Sequence, residues 1–169
     1  MARTWKLNQV SLGFFNCDAG RLNSWVDGII YLPEIKYRRI LNNAFGPGGW
    51  GLLPLGHSCV RGGRSLSREF GLIAQSRLIA VARGENDFYD VTGLATCAEG
   101  VKSNALMRCC KDVGIASELW DPIYIRNWLA DYAVEVAASH VTTKQYKRIW
   151  RRKDEQLKYP WEEKKVLSM

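Results

Sequence analysis

The stretch that decides the fold is PEIKYRRILNNAFGPGGWGLL, which runs from Pro33 to Leu53. A proline suits the first turn of a helix and a Gly-Pro pair ends one, so the stretch predicts a helix from Pro33 to Phe45. Its apolar side holds Tyr37, Ile40, Leu41, Ala44 and Phe45. The glycine-rich turn that follows leads the chain into a strand at Trp50.

An antiparallel sheet is predicted over residues 50–82. Apolar-rich strands from Leu66 to Ala74 and from Leu78 to Ala82 flank a short hairpin loop at residues 75–77. Glycines at positions 56, 62 and 63 mark earlier turns, so we expect a meander of three antiparallel strands. The run Gly-Glu-Asn-Asp at residues 84–87 predicts a turn that closes the sheet.

Two further helices are predicted after the sheet. One runs from about Thr96 to Val113 and ends at Gly114. Its apolar stripe consists of Val101, Ala105, Leu106, Cys109 and Val113. The other begins at Asp121-Pro122, an N-cap followed by a proline, and frays near Ser139. Its inward residues are Ile125, Trp128, Leu129, Tyr132 and Val136.

The order of these elements indicates an α+β fold, in which helices pack on one face of a three-stranded antiparallel sheet. The 169 residues suit one domain with tails, and no apolar run reaches the length of a membrane span. We expect an N-terminal arm at residues 1–24, a core domain at 25–140 and a basic C-terminal segment at 141–169. Five cysteines are too few for a disulfide scaffold, which favours a reducing compartment.

Positive charge is concentrated near the C-terminus. The chain has 24 Lys+Arg against 17 Asp+Glu, and residues 140–169 hold nine of these cations and only four of the acids. A near-neutral body with a basic tail predicts a polyanionic partner. The segment KQYKRIWRRK, Lys144 to Lys153, has six cations with two aromatic residues between them, which fits phosphate contacts and base stacking.

Two other basic surfaces lie on the predicted helices. Lys36 and Arg39 share one helix face, and Arg108 and Lys111 share another; ordinary solvent-exposed faces would show the same spacing. In the C-terminal segment Tyr146, Ile149 and Trp150 have the spacing of a buried helical stripe. That spacing leaves Lys147, Arg148, Arg151 and Arg152 to line a groove.

Catalytic chemistry has little support in the sequence. The two histidines, His57 and His140, lie far apart, and the vicinal Cys109 and Cys110 point in different directions on a helix. We therefore predict no catalytic residue, no metal site and no cofactor. The alternative is a magnesium-dependent nuclease that uses carboxylates such as Glu69, Glu85 and Asp87.

Four strings in the sequence resemble a known family. They are LPEIKYRRILNNAFGPGGWGL (32–52), SREFGLI (67–73), AVARGE (80–85) and EGVKSNALMRCCKDVGIASELWDP (99–122). The similarity is to the mitochondrial genome maintenance proteins, within the Rad-fifty-two-type single-strand annealing proteins. It implies a β-β-β-α core and an ATP-independent protein that binds single-stranded DNA, anneals strands and forms rings of many subunits. The implied location is the nucleoid of the mitochondrial matrix, in recombinational repair of mitochondrial DNA.

The resemblance also implies which cations contact DNA. In the wider group a basic residue on the first helix and a basic cluster after the sheet line the DNA groove, which correspond here to Lys36, Arg108 and Lys111. The full set of expected DNA-binding residues is Lys36, Arg39, Lys102, Arg108, Lys111, Lys144, Lys147, Arg148, Arg151, Arg152 and Lys153. The competing hypotheses are the nuclease and a structural nucleoid protein that only coats duplex DNA.

Overall fold

The computed structural model describes residues 23–24 and 30–164 of the 169-residue chain. The predicted N-terminal arm therefore lies outside the described residues, apart from Asn23 and Ser24. The strands are β1 (Asn23–Ser24), β2 (Ile30–Tyr31), β3 (Trp50–Arg61), β4 (Ser65–Ala74), β5 (Arg77–Asp87), β6 (Ala133–His140), β7 (Tyr146–Arg152) and β8 (Trp161–Glu163). The α-helices are α1 (Glu34–Phe45), α2 (Leu94–Asp112) and α3 (Pro122–Tyr132).

The chain divides into two compact units. The described part of the first unit is Pro33–Ser117, which contains α1, β3–β5 and α2. The described part of the second unit comprises residues 23–24, 30–32 and 118–164, which contain β1, β2, α3 and β6–β8. The three-part division at residues 24 and 140 stays a prediction.

The first unit contains the predicted meander, with strand order β3-β4-β5 and antiparallel pairing throughout. The prediction of a turn over Gly84–Asp87 is wrong, because these residues belong to β5 and Asp87 pairs with Ser65. Strand β4 extends far enough to provide hydrogen-bond partners for all four residues. Pairing of the two strands therefore overrides the local turn preference of Gly, Asn and Asp.

Helix α2 covers one face of this sheet. Leu66 and Phe70 of β4 form a buried cluster with Cys97, Val101 and Ala105 of α2. The helix passes directly over Gly84 of β5, where an added Cβ would lie 1.9 Å from the Val101 carbonyl oxygen. Glycine is therefore required at this position by the close approach of the two backbones.

The two helices of the first unit follow their predicted positions within two residues. In α1 the predicted apolar side is buried at Tyr37, Ile40 and Leu41. In α2 the predicted stripe is buried at Val101, Ala105, Leu106 and Cys109, whereas Val113 lies beyond the end of the helix and is half-buried. Gly114 has a φ of 86°, which matches the predicted stop.

Three cysteines belong to α2. Cys97, Cys109 and Cys110 are buried, whereas Cys59 on β3 is exposed. Burial raises the pKa of Cys110 to about 12, with smaller contributions from Cys109 and Glu34. Burial also raises the pKa of Cys109. The vicinal pair therefore stays in the protonated thiol form at neutral pH.

Helix α3 begins as predicted but ends earlier. Asp121 caps it by accepting a hydrogen bond from the backbone N–H of Ile123 at 2.9 Å. The prediction of a helix to near Ser139 is wrong, because the chain becomes the strand β6 at Ala133. Val134 and Val136 are β-branched and favour a strand once β7 supplies hydrogen-bond partners. Trp128 is buried as predicted, whereas Tyr132 is exposed.

The second unit has a sheet that the sequence pattern did not predict, with strand order β7-β6-β8. The helical stripe predicted for Tyr146, Ile149 and Trp150 is wrong, because these residues lie on β7 and their side chains alternate between faces. Ile149 is buried, Trp150 is half-buried and Tyr146 is exposed. The predicted α+β class with a three-stranded antiparallel sheet is confirmed, and the second sheet extends it.

Candidate nucleic-acid interface

The basic face of α1 lies opposite its buried side. Tyr37, Ile40 and Leu41 point into the first unit, while Arg39 is exposed and Lys36 is half-buried. Among the described residues, no acidic side chain lies within ion-pair distance of Arg39. Its charge is therefore available to a ligand.

Arg38, which precedes Arg39, has a structural role that the sequence analysis missed. The Arg38 Nε donates to Glu34 at 2.7 Å, and its guanidinium lies 5.8 Å from the centre of the Trp50 ring. The Trp50 indole N–H donates to the Asn42 side-chain oxygen at 2.7 Å. These contacts fix the corner between α1 and β3. The i, i+4 spacing of Glu34 and Arg38 was the available sequence signal.

The basic row of α2 runs beside the edge strand β5. The Asn104 side-chain oxygen accepts a hydrogen bond from the backbone N–H of Glu85 at 3.4 Å, which places this side of the helix at the edge of the sheet. Arg108 is one helical turn further along the same side. Its Nε is buried without a hydrogen-bond partner, and no acidic side chain of the described residues pairs with it.

The other predicted cations of α2 have acidic neighbours. Lys102 lies 3.6 Å from Glu99, and Lys111 lies 3.4 Å from Asp112. All four side chains are at least a third exposed, so solvent screens both pairs and each contributes little to stability. Arg108 is thus the cation of this row whose charge is least compensated.

The helix α2 separates the two basic rows of the first unit. Cys110 faces the α1 side, because Glu34 and Arg38 of α1 act on its thiol. At 100° per residue, Arg108 points about 160° away from Cys110. The cations of α1 and the row that contains Arg108 therefore form two surfaces of the first unit rather than one cluster.

The cations of β7 lie on two different faces, because successive side chains of a strand point to opposite sides. Tyr146 and Arg148 share one face, and Lys147 and Arg151 share the other with the buried Ile149. Arg148 is mostly exposed and forms an ion pair with Glu135 on β6 at 2.8 Å. Lys147 is exposed, and so is Lys144, which has a φ of 56° in the turn before the strand.

Three further cations of the C-terminal segment make contacts within the second unit; they are Arg151, Arg152 and Lys153. Arg151 contacts Glu163 at 3.0 Å and donates to the backbone oxygens of Arg152 and Glu155. Arg152 is buried, and its Nε donates to Asp154 at 2.8 Å. Lys153 donates to the last carbonyls of α3, at Ala130 and Asp131. The predicted groove-lining set therefore does not lie together on one surface.

Tyr146 forms an aromatic and cationic pair with a residue that the sequence analysis missed. The Lys164 ammonium lies 4.4 Å from the centre of the Tyr146 ring and donates to its hydroxyl at 3.1 Å. The hydrogen bond from Lys164, followed by its charge, lowers the pKa of Tyr146. Tyr146 thus combines an exposed ring with the Lys164 cation, and Arg148 lies on the same face of the strand, a mixture of aromatic and basic groups that is typical of single-strand binding sites.

We expect the Arg152–Asp154 pair to make the second unit sensitive to acid. The hydrogen bond from Arg152 lowers the pKa of Asp154 below its ordinary value of 3.8. Because the pKa is lower in the folded state, the stabilisation is complete above the ordinary value and is lost as the pH falls through the folded value. Urea unfolding between pH 7 and pH 3 should show a steeper loss for the wild type than for Asp154→Asn. Equal slopes would contradict this assignment.

The carboxylates of the nuclease hypothesis lie on two neighbouring strands, β4 and β5. Glu69 forms an ion pair with Arg83 at 3.1 Å, and Glu85 and Asp87 follow on β5. Within residues 23–24 and 30–164, no group of three or more potential ligands lies close enough to hold a metal ion. None of the helices in the described part of the chain has the length and apolar character of a membrane span.

Comparison with known proteins identifies the family. The model of the family described as "Mitochondrial genome maintenance MGM101" matches residues 17–162. The chain is 58% identical over 137 residues to the mitochondrial genome maintenance protein mgm101 of Schizosaccharomyces pombe, covering 81% of this chain and 50% of that protein. It is 54% identical over 135 residues to MGM101 of Kluyveromyces lactis, covering 80% and 51%.

The same similarity extends to a third relative. MGM101 of Mycosarcoma maydis is 56% identical over 138 residues, covering 81% of this chain and 41% of that protein. The chain belongs to the MGM101 family of mitochondrial genome maintenance proteins. It spans about half the length of the curated relatives it matches.

Proposed function

We propose that this chain binds single-stranded DNA and anneals complementary strands without nucleotide hydrolysis, in the maintenance and recombinational repair of mitochondrial DNA. Support comes from the names of its relatives, which describe mitochondrial genome maintenance proteins. The observation that carries the proposal is the side of α2 next to β5, where the Arg108 guanidinium has a buried Nε without a partner. Arg108 is half-buried and pairs with no acid among the described residues, so its guanidinium charge can attract a phosphate oxygen.

The described cations fit a mechanism based on the DNA backbone. Arg39, Arg108 and Lys144 have no acidic partner among the described residues, so each can hold a phosphate. Contacts to phosphates leave the base edges exposed for a second strand. Neutralised phosphates also repel an incoming strand less, so annealing requires no nucleotide hydrolysis. Binding of this kind has no sequence preference, since phosphate and stacking contacts carry no base code.

Tyr146 gives this mechanism a stacking platform on the second unit. Its ring is 68% exposed on the face of β7 that also carries Arg148. Trp150 is half-buried in the same strand, which favours packing as its role. On this proposal Tyr146 contacts a base while Arg148 and Lys164 contact the flanking phosphates.

The proposed setting is the nucleoid of the mitochondrial matrix, and the proposed active form is a homo-oligomeric ring. The relatives' names support a mitochondrial role. A ring would place the basic surfaces of many subunits along one strand and multiply weak contacts. Large exposed apolar side chains, among them Trp120 and Leu78, offer surface for subunit contacts.

We expect single-strand affinity to fall steeply with salt. Each phosphate contact releases counterions, so the slope of log affinity against log salt should be about −0.7 per phosphate held on a single strand. Fluorescence anisotropy of a labelled oligonucleotide at several salt concentrations measures that slope. Affinity that is flat across the series would contradict phosphate-based binding.

A second assay separates the competing functions. Incubating the protein with labelled strands and Mg²⁺ should leave their length unchanged and accelerate duplex formation between complementary strands. Shortened products would instead indicate a nuclease. Competition by duplex DNA equal to that by single strands, with no acceleration of annealing, would indicate a protein that only coats duplex DNA.

A further inference from the structure

Helix α2 covers one face of the β3-β4-β5 sheet, and we call the opposite side the open face. Leu66 and Phe70 of β4 pack under α2, so the alternate residues of β4, among them Glu69 and Gly71, belong to the open face. The strand register adds five residues of β3 and five of β5, most of them exposed. They are Gly51, Leu53, Leu55, Cys59 and Arg61 of β3, and Leu78, Val81, Arg83, Glu85 and Asp87 of β5.

The half of the open face next to the turn between β4 and β5 is apolar. Leu53, Leu78 and Val81 are 48%, 57% and 46% exposed. A Cβ added at Gly71 would lie 2.6 Å from the Leu78 Cδ1 and 3.4 Å from the Leu55 Cδ1, so side chains of the two outer strands meet over the central one. A contiguous exposed apolar surface of this kind is typical of an interaction site.

The other half of the open face has opposite charges at its two edges. Arg61 lies at the β3 edge, and Glu85 and Asp87 lie at the β5 edge. Arg61 and Asp87 pair with Ser65 from opposite sides, so two strand spacings, about 10 Å, separate them. Within residues 23–24 and 30–164, none of these three charged side chains has an ion-pair partner. A single copy therefore leaves both edges uncompensated.

The charges in the middle of the open face are compensated within the copy. Arg83 lies 3.1 Å from Glu69 and donates to the Ser67 hydroxyl at 3.3 Å. This pair separates the apolar half from the charged edges and requires no outside partner.

A second copy matches the open face when it is rotated by half a turn about the direction of β4. The two open faces then lie against each other with their strands aligned, which is a common way for sheets to pack. Each row of residues stays opposite the same row, and β3 of one copy lies over β5 of the other. Leu53 therefore faces Val81 of the second copy, and Arg61 faces Asp87 of the second copy. Because the contact is two-fold, each pairing occurs twice.

Other occupants and other orientations fit the open face less well. Rotation about an axis across the strands would place the unpaired charges of Arg61 and Asp87 on the apolar half of the other copy, which is costly. A DNA backbone would be repelled by Glu85 and Asp87 at the β5 edge. Apolar surface and charge therefore select the same partner in the same orientation.

We propose that two copies of this chain pair through their open faces, about a two-fold axis along β4. Arg61 of each copy binds Asp87 of the other, and Leu53, Leu78 and Val81 form the apolar contact. A two-fold contact closes on itself, so this interface pairs subunits or whole rings, and the ring proposed above closes through a different surface. The contact does not depend on single-strand binding.

The test exchanges the two charges. Arg61→Asp and Asp87→Arg each place like charges opposite one another twice in the pair, so each variant alone should lose the contact. By analytical ultracentrifugation over a range of concentrations, we expect the mass of the assembly to fall at least twofold for each variant. An equimolar mixture of the two variants should recover the wild-type mass, because the exchanged charges complement each other between copies. The double variant Arg61→Asp/Asp87→Arg should recover it as well.

A second pair of variants tests the apolar half. Leu53→Lys places a charge in the apolar contact and should also lower the mass at least twofold. Its matched control is Val60→Lys on the same strand, because Val60 is 56% exposed but pairs with Leu66 and so belongs to the other face. Val60→Lys should assemble like the wild type.

Several outcomes would overturn the proposal. Wild-type mass of all the variants, with unchanged circular dichroism, would show that the copies meet elsewhere. Wild-type mass of Leu53→Lys with a tenfold or larger loss of single-strand affinity would show that DNA occupies the open face. Wild-type mass of Leu53→Lys with a lower melting temperature would show that a segment of the same copy covers it.

The wild type itself separates this proposal from the proposed function. A wild type that stays at the monomer mass of 19.2 kDa and anneals strands would remove the interface and leave the function standing. Pairing that responds to the charge exchange as expected, in a protein that does not bind single strands, would support the interface and contradict the function.

Discussion

We expect Gly84→Ala to unfold the first unit or to leave it barely stable. The added Cβ would lie 1.9 Å from the Val101 oxygen and 2.9 Å from the Ala105 backbone nitrogen. Both atoms belong to the backbone of α2, so no side-chain rotation relieves the overlap and the helix must move off the sheet. Overpacking of a core costs about 1–3 kcal/mol, and a clash between two backbones should reach at least the upper end. Urea unfolding of the purified variant measures the loss.

The control for this prediction is Gly51→Ala on β3. A Cβ at Gly51 meets open space and its φ is not positive, so replacement by alanine should be neutral or slightly stabilising. If Gly84→Ala and Gly51→Ala unfolded at the same urea concentration as the wild type, the close approach of α2 and β5 would be contradicted.

The second large effect is expected at Arg108. Replacement by alanine removes a charged donor that we propose binds phosphate, and hydrogen bonds to charged groups contribute about 1.5–3 kcal/mol. We therefore expect at least a tenfold loss of single-strand affinity, a slower annealing rate and a shallower salt dependence. Arg108→Lys keeps the charge and most of the aliphatic stem, and should recover part of the loss because it lacks the planar fork.

The matched control for Arg108 is Arg126→Ala on α3. Arg126 is exposed, has no ion pair among the described residues and belongs to none of the expected DNA-binding sets. Both variants lose one positive charge, so a general electrostatic effect would weaken binding equally in both. Equal losses, or a lower melting temperature that accounts for the Arg108→Ala defect, would argue against a specific phosphate contact.

The first unit was predictable because its signals are local and agree with one another. Pro33 and Gly46 bound α1, and Gly114 ends α2 in a left-handed conformation. The turn predicted at residues 84–87 failed because its outcome depends on a distant partner, Ser65 on β4. A window of neighbouring residues contains no information about such pairing.

In the C-terminal segment, too, pairing with a distant strand decided the outcome, and here it affects the candidate DNA-binding residues. Tyr146, Ile149 and Trp150 satisfy a helical spacing, yet β6 recruits them into a strand. A change of period from 3.6 to 2 moves cations to different faces, which is why Arg151 and Arg152 bind their own chain while Arg148 stays exposed. Composition revealed that the segment is basic, but only the pairing shows which charges face outward.

The burial of Cys109 and Cys110 makes their alkylation a measure of local opening of the fold. An alkylating reagent attacks the thiolate, and neither sulfur is accessible or readily deprotonated while α2 rests on the sheet. The rate at which this pair is alkylated therefore measures how often the helix separates from the sheet. Cys59 is exposed, so its alkylation requires no such opening. The ratio of the two rates reports how often the helix that carries Arg108 leaves its place.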